Sequence, residues 1–115
     1  MDGSNGSACL DREQLRDVTL NDEELMREIL SALIDDTSRQ MKLLETAIHD
    51  QDATRCMHLA HYSKGACANL GANAAAATLK EIERKAASRD FHQCSEALSR
   101  LAREVDDLRS AAVSL

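Results

Sequence analysis

The sequence contains no proline, no tryptophan, one tyrosine, one phenylalanine and only four glycines in 115 residues. Strands favour aromatic and β-branched side chains, so their scarcity argues against a sheet. Without proline, long stretches run free of the residue that breaks helices most strongly. A cationic excess is missing too. The net charge of −6 counts against nucleic acid, whose binders carry a basic patch, and against an anionic membrane surface. No apolar run approaches the ~20 residues of a spanning helix. The first residues, MDGSNGSACLDREQL, lack the basic and apolar regions of a signal peptide. The four cysteines, Cys9, Cys56, Cys67 and Cys94, form no C-x-x-C pair. Three of them fall on expected apolar stripes, which reads as small buried hydrophobes in a reducing compartment. A cytoplasmic protein is expected, with neither membrane nor nucleic acid as partner.

What is present is alanine, leucine, glutamate, arginine and lysine, all good helix formers. The length suits one domain with a single modest core. Residues 1–10, polar and glycine-containing, read as a flexible tail, and residues 11–115 as the folded domain. Asp11 followed by Gln14 signals the start of a short helix over 12–18. Asn21 followed by Glu24 repeats the signal ahead of Leu25, Met26, Ile29, Leu30, Leu33 and Ile34. The stripe resumes at Met41, Leu44 and Ile48, and no Gly or Pro intervenes. One long helix is expected there, with a break near Asp35–Asp36 as the alternative. Asp52 caps the next helix, which runs to Leu70, and Gly71 is placed to end it in the left-handed conformation. Asn73 caps a helix to about Ser88, and Asp90 opens the last. Phe91, Cys94, Leu98, Leu101, Val105 and Leu108 then follow the three-and-four spacing of a bundle seam. Four longer helices joined by short loops pack most simply as an all-α, antiparallel up-down four-helix bundle with a short additional N-terminal helix.

Leu59–Ala72, LAHYSKGACANLGA, holds both glycines that lie outside the first few residues. A glycine inside a helix costs roughly 1 kcal/mol relative to alanine, so Gly65 points to a need for bare backbone. At about 100° per residue, His61, Lys64, Gly65 and Ala68 share one face. Cys56, Leu59, Ser63, Ala66, Cys67 and Leu70 share the opposite, packing face. The first face offers a nucleophile, a cation and room beside them.

These residues resemble the histidine-containing phosphotransfer (HPt) domains of two-component phosphorelays. Their phospho-accepting helix carries A-H-x-x-K-G followed by L-G-A, matched here by Ala60, His61, Lys64, Gly65, Leu70, Gly71 and Ala72. The resemblance implies a phosphocarrier rather than a self-sufficient enzyme. His61 would accept a phosphoryl group from a receiver-domain aspartate, or from a kinase, and pass it to another receiver. A solvent-facing imidazole, with a pKa near ~6.5, is largely neutral at pH 7 and free to attack. Lys64 is a flexible cation suited to the new charge, and Gly65 and Ala68 leave space for the partner. Met57, with His58 beside it, is the candidate docking flank. No cofactor is expected on this chain, since in the family the receiver holds the Mg²⁺. Partners would be response-regulator receivers or a hybrid histidine kinase, with the chain itself a monomer.

Two departures from the family pattern stand out. Ser63 occupies a core-facing position that is usually apolar, where its hydroxyl can bond back to a carbonyl one turn earlier. Family members also often orient the histidine with a polar side chain from the next helix. Ala74–Ala77 supply none, leaving Lys80, Glu83 and Arg84 as candidates. Two other readings compete. His58 and His61, spaced i, i+3, could share a metal, but the di-iron bundles need Glu-x-x-His repeats and no Glu stands three residues before any histidine. A bundle that docks receivers or kinases without being phosphorylated is the second, and the intact His61, Lys64 and Gly65 argue against it.

Overall fold

Four aspartates set helix starts. Asp11, Asp22, Asp52 and Asp90 each accept a backbone N–H three residues on, from Gln14, Leu25, Arg55 and Gln93, at 3.0–3.1 Å. Each satisfies one of the donors that the first turn of a helix leaves unpaired. A computed structural model describes residues 9–115, and five helices span them: α1 Arg12–Val18, α2 Glu23–His49, α3 Ala53–Asn69, α4 Asn73–Ala87 and α5 Phe91–Val113. α2 is a single uninterrupted helix, as the absence of Gly and Pro implies, and Thr37 carries the buried stripe across the polar patch.

Two expected caps are displaced. Asn21 does not cap α2, because it lies in the left-handed region at φ 63° while Asp22 has the extended backbone of a cap. Asn73 is the first residue of α4 rather than its cap. Ala72 holds that position, without a side-chain hydrogen bond, because the turn through Gly71 is so short. Every connection between helices contains at least one residue with positive φ: Leu20 and Asn21, Gln51, Gly71, and Arg89. That conformation lets links of only a few residues reverse the chain.

Short reversals make consecutive helices antiparallel neighbours. α2 packs on α3 and α5, and α4 packs on α3 and α5, which closes a four-helix bundle. α1 lies against α2 and reaches the C-terminal end of α3, where Gln14 Nε2 donates to the carbonyls of Ala68 (2.7 Å) and Asn69 (3.2 Å). Of the expected tail, residues 1–8 lie outside the described residues. Leu10 is not tail-like: it is buried in the core, and Asp11 N–H donates to Gly71 O at 2.8 Å. The N-terminal boundary of the packed domain therefore includes Leu10.

The core is built from Leu30, Leu44, Cys56, Cys67, Leu79, Ile82, Cys94, Leu101 and Leu108 with their neighbours. Each large aliphatic side chain buried there contributes about 1.5–3 kcal/mol. The α5 seam runs through Cys94, Ala97, Leu101, Val105 and Leu108, while Phe91 and Leu98 are half-buried at its edge. Ala97 is small enough to sit where helices approach closely. Leu98 instead lines a groove of about 480 Å³ with Met41 and Ile48 of α2, on the side of the bundle away from the α3–α4 pair. Cys56, Cys67 and Cys94 are buried free thiols, and burial pushes all three up, Cys94 to about 11. None is poised as a nucleophile. Among the described residues, no helix is long and apolar enough to cross a membrane.

Candidate functional site

The buried stripe of α3 is Cys56, Ala60, Ser63 and Cys67. Leu59, Ala66 and Leu70, expected on the packing face, are half-buried at its margin, and Ala60 takes a central place instead. That centring turns His61, His58, Gly65 and Ala68 outward. His61 is the most open part of the site, with 68% of its side chain exposed.

Its ring is nevertheless held. Glu83, in the middle of α4, binds His61 through Oε2 (3.1 Å to Nδ1) and Lys64 through Oε1 (2.9 Å from Nζ). The hydrogen bond from Lys64 holds the Glu83 carboxyl below the usual carboxylate range, outweighing its partial burial, and the bond from His61 adds to the effect. An ionised carboxylate can only accept. Nδ1 must therefore carry the proton, and in the neutral ring the lone pair belongs to Nε2, on the side away from Glu83. One carboxylate thus selects both the tautomer and the outward-facing nucleophilic atom.

Glu83 stands among three candidates in the sequence, and the bundle singles it out. His61 lies ten residues before Gly71, the centre of the α3–α4 turn, and Glu83 twelve after it. In an antiparallel helix pair, residues at similar distances from the turn come close to level. The signal was in the spacing, readable only once the length of the turn is known.

Gly65 is exposed, and a Cβ built on it meets nothing within 4 Å. Nothing inside the molecule requires a glycine here, so the open space faces outward. Gly65→Glu is accordingly expected to keep its helix content and lose no stability, while phosphoryl transfer slows by about tenfold, a barrier change near 1.4 kcal/mol. Stopped-flow or quench kinetics with a phosphorylated partner would read it. Unchanged rates would mean that the space is not used.

Met57 is half-buried and packed against the core, not the exposed apolar flank that its place beside His58 suggests. The exposed apolar residue next to the histidine is Tyr62, 56% exposed. A hydrogen bond to the Asp36 carboxylate of α2 pushes its hydroxyl pKa up. Lys64 and Tyr62 therefore flank His61 toward α4 and α2 respectively. Ala68 leaves its outer surface bare, and its carbonyl is capped by Gln14. α3 as a whole carries Arg55 and Lys64 and no carboxylate.

Ser63 does not form the expected back-bond. Its hydroxyl is buried without a hydrogen-bond partner, although Thr46, Ser88 and Ser99 do bond back one turn along their own helices. An unpaired buried hydroxyl costs about 1–3 kcal/mol, and serine is a poorer helix former than alanine. Ser63→Ala is expected to stabilise the domain by roughly 1 kcal/mol, raising Tm by about 4 °C, as measured by calorimetry. A fall in Tm would show that the hydroxyl is used.

The Hpt domain family model matches residues 28–111, which spans α3, α4 and most of α2 and α5. The chain belongs to the Hpt domain family. In fold this Hpt domain is similar to the crystal structure of histidine-containing phosphotransfer protein B (HptB) from Pseudomonas aeruginosa, at 24% identity over 92% of each chain with a TM-score of 0.84. It is equally similar to a rice protein assigned as a histidine-containing phosphotransfer protein, at 18% identity, covering 98% of this chain and 83% of that one, with a TM-score of 0.84. No curated protein matches it in sequence. The Hpt domain's role is phosphotransfer in a phosphorelay, and such domains work with receiver domains and kinases. Among the described residues, no cluster of three or more His, Cys, Asp or Glu side chains is gathered to hold a metal. The Hpt domain presents its histidine on an open helix surface, a geometry suited to another protein as substrate.

Proposed function

We propose that His61 is the phosphoryl acceptor and donor of this Hpt domain, with Lys64 as the cation beside it and Gly65 as the clearance for the partner. The observation that carries this reading is the hydrogen bond from His61 Nδ1 to Glu83 on a ring that is otherwise exposed. Nε2 of the neutral ring attacks the phosphorus of a receiver's aspartyl phosphate. The P–N bond forms as the P–O bond breaks, and the electron pair returns to the receiver carboxylate. Nδ1 keeps its proton, shared with Glu83, which offsets the positive charge that the ring gains. Reversal onto a second receiver passes the group on. Mg²⁺ belongs to the receiver, where it would neutralise the phosphoryl oxygens. Exposed His58, Ala68 and Tyr62, with Met57 below them, form the surface a receiver packs on. The buried free thiols fit a reducing cytoplasm.

The test is incubation of the protein with a phosphorylated receiver domain, followed by acid and base treatment of the labelled chain. Label that is acid-labile and base-stable is the expected outcome for phosphohistidine. Acid-stable label, or none, would overturn the proposal.

A further inference from the structure

Glu83 is bound at both oxygens, by His61 on one and by Lys64 on the other. In the unphosphorylated protein the charges balance locally: the Glu83 carboxylate stands between the Lys64 ammonium and the His61 ring. The Glu83 and Lys64 side chains are only 25% and 28% exposed, so each is the other's principal partner. A phosphoryl group on Nε2 adds about −1.5 to −2 charges. It sits across the imidazole from Glu83, well within the ~8 Å over which charges interact at physiological salt. The ammonium and the positive charge of the ring now face Glu83 and a phosphoryl group of up to two charges. If Lys64 turns to the phosphoryl group, Glu83 keeps only the Nδ1 proton and faces a second negative charge. If it stays with Glu83, only the ring offsets the phosphoryl charge. Either way the phosphorylated state carries up to one negative charge that its cations do not balance, and the free state does not.

We propose that Glu83, beyond orienting the ring, sets the transfer potential of the phosphohistidine by holding Lys64 and opposing the phosphoryl charge. The inference rests on His61 as the acceptor. During onward transfer, a receiver carboxylate oxygen forms its bond to phosphorus as the P–N bond breaks. The electron pair returns to Nε2, Nδ1 keeps its proton, and Lys64 and Glu83 recover a balanced pair. Relief of that imbalance drives the group away from His61. Glu83 is a positioning residue with an electrostatic consequence, and it acts through Lys64 and the ring.

The experiment measures how label distributes at equilibrium between the full chain and one receiver domain, at low and high salt. Glu83→Gln keeps an amide oxygen to accept Nδ1–H but removes the charge and releases Lys64. The distribution is expected to shift toward His61 by about threefold, the scale of a partly exposed ion pair. The shift should largely vanish in 1 M salt, where the screening length falls to ~3 Å. Glu83→Ala should shift the distribution the same way while slowing transfer in both directions, because the ring is no longer held. An unchanged distribution in both variants, or a shift toward the receiver, overturns the inference. So does a shift insensitive to salt. Failure of the wild-type chain to form phosphohistidine at all would instead defeat the assignment of His61.

Discussion

His61→Gln is expected to fold like the wild type and to take up no phosphoryl group. The side chain is 68% exposed and contributes nothing to the core, so the structural loss is one surface hydrogen bond to Glu83. Substitutions of this kind shift stability by about 0.5 kcal/mol or less. The chemical loss is complete, because an amide nitrogen has no lone pair free to attack phosphorus. Label from a phosphorylated receiver should fall by at least about a hundredfold, equivalent to about 2.7 kcal/mol. His58→Gln is the matched control. His58 is exposed on the same helix, one turn earlier, and makes no hydrogen bond to Glu83. It should label at the wild-type level. Label retained in His61→Gln, or lost in His58→Gln, would move the site.

Gly71→Ala should be the most damaging small substitution for stability. Gly71 has φ 84°, and a Cβ there would stand 2.7 Å from the backbone oxygen of Asp11. The left-handed backbone alone costs an L-residue about 1–2 kcal/mol. The clash is with main chain, so relief requires moving the Leu10–Asp11 segment. That would break the Asp11 N–H to Gly71 O bond and draw Leu10 from the core, placing part of its burial energy of about 1.5–3 kcal/mol at risk. A total loss of about 2–4 kcal/mol is expected from urea unfolding. Gly71→Asn separates the causes, since asparagine tolerates the backbone but not the contact. A loss below about 1 kcal/mol in Gly71→Ala would show that the segment yields freely.

The architecture was legible because the punctuation is strong. Asp11, Asp52 and Asp90 carry the capping pattern, and no Gly or Pro between Asp22 and His49 breaks α2. Asn21 and Asn73 misled because asparagine favours both caps and left-handed turns, and only the turn geometry decides between them. His61, Lys64 and Gly65 could be read together because they lie within one turn of a single helix. Glu83 could not be fixed, because its place beside His61 depends on the register of two helices. Ser63 was legible as an anomaly, but the partner of its hydroxyl is a rotamer question that sequence does not answer. Met57 and Tyr62 exchanged roles because the centre of the buried stripe, at Ala60 and Ser63, differs from the apolar residues that suggested it.

The charge pattern of α3 has a kinetic consequence. The chain carries a net −6, yet its site-bearing helix has two cations and no carboxylate. Because Glu83 of α4 balances Lys64, the face around His61 is close to neutral on an otherwise negative body. A partner displaying a phosphorylated aspartate is repelled by most of the surface and least by this face. Such fields preorient diffusing molecules and raise productive encounter rates, increasingly so as ionic strength falls. Where the carboxylates were left out thus bears on how fast a partner is met.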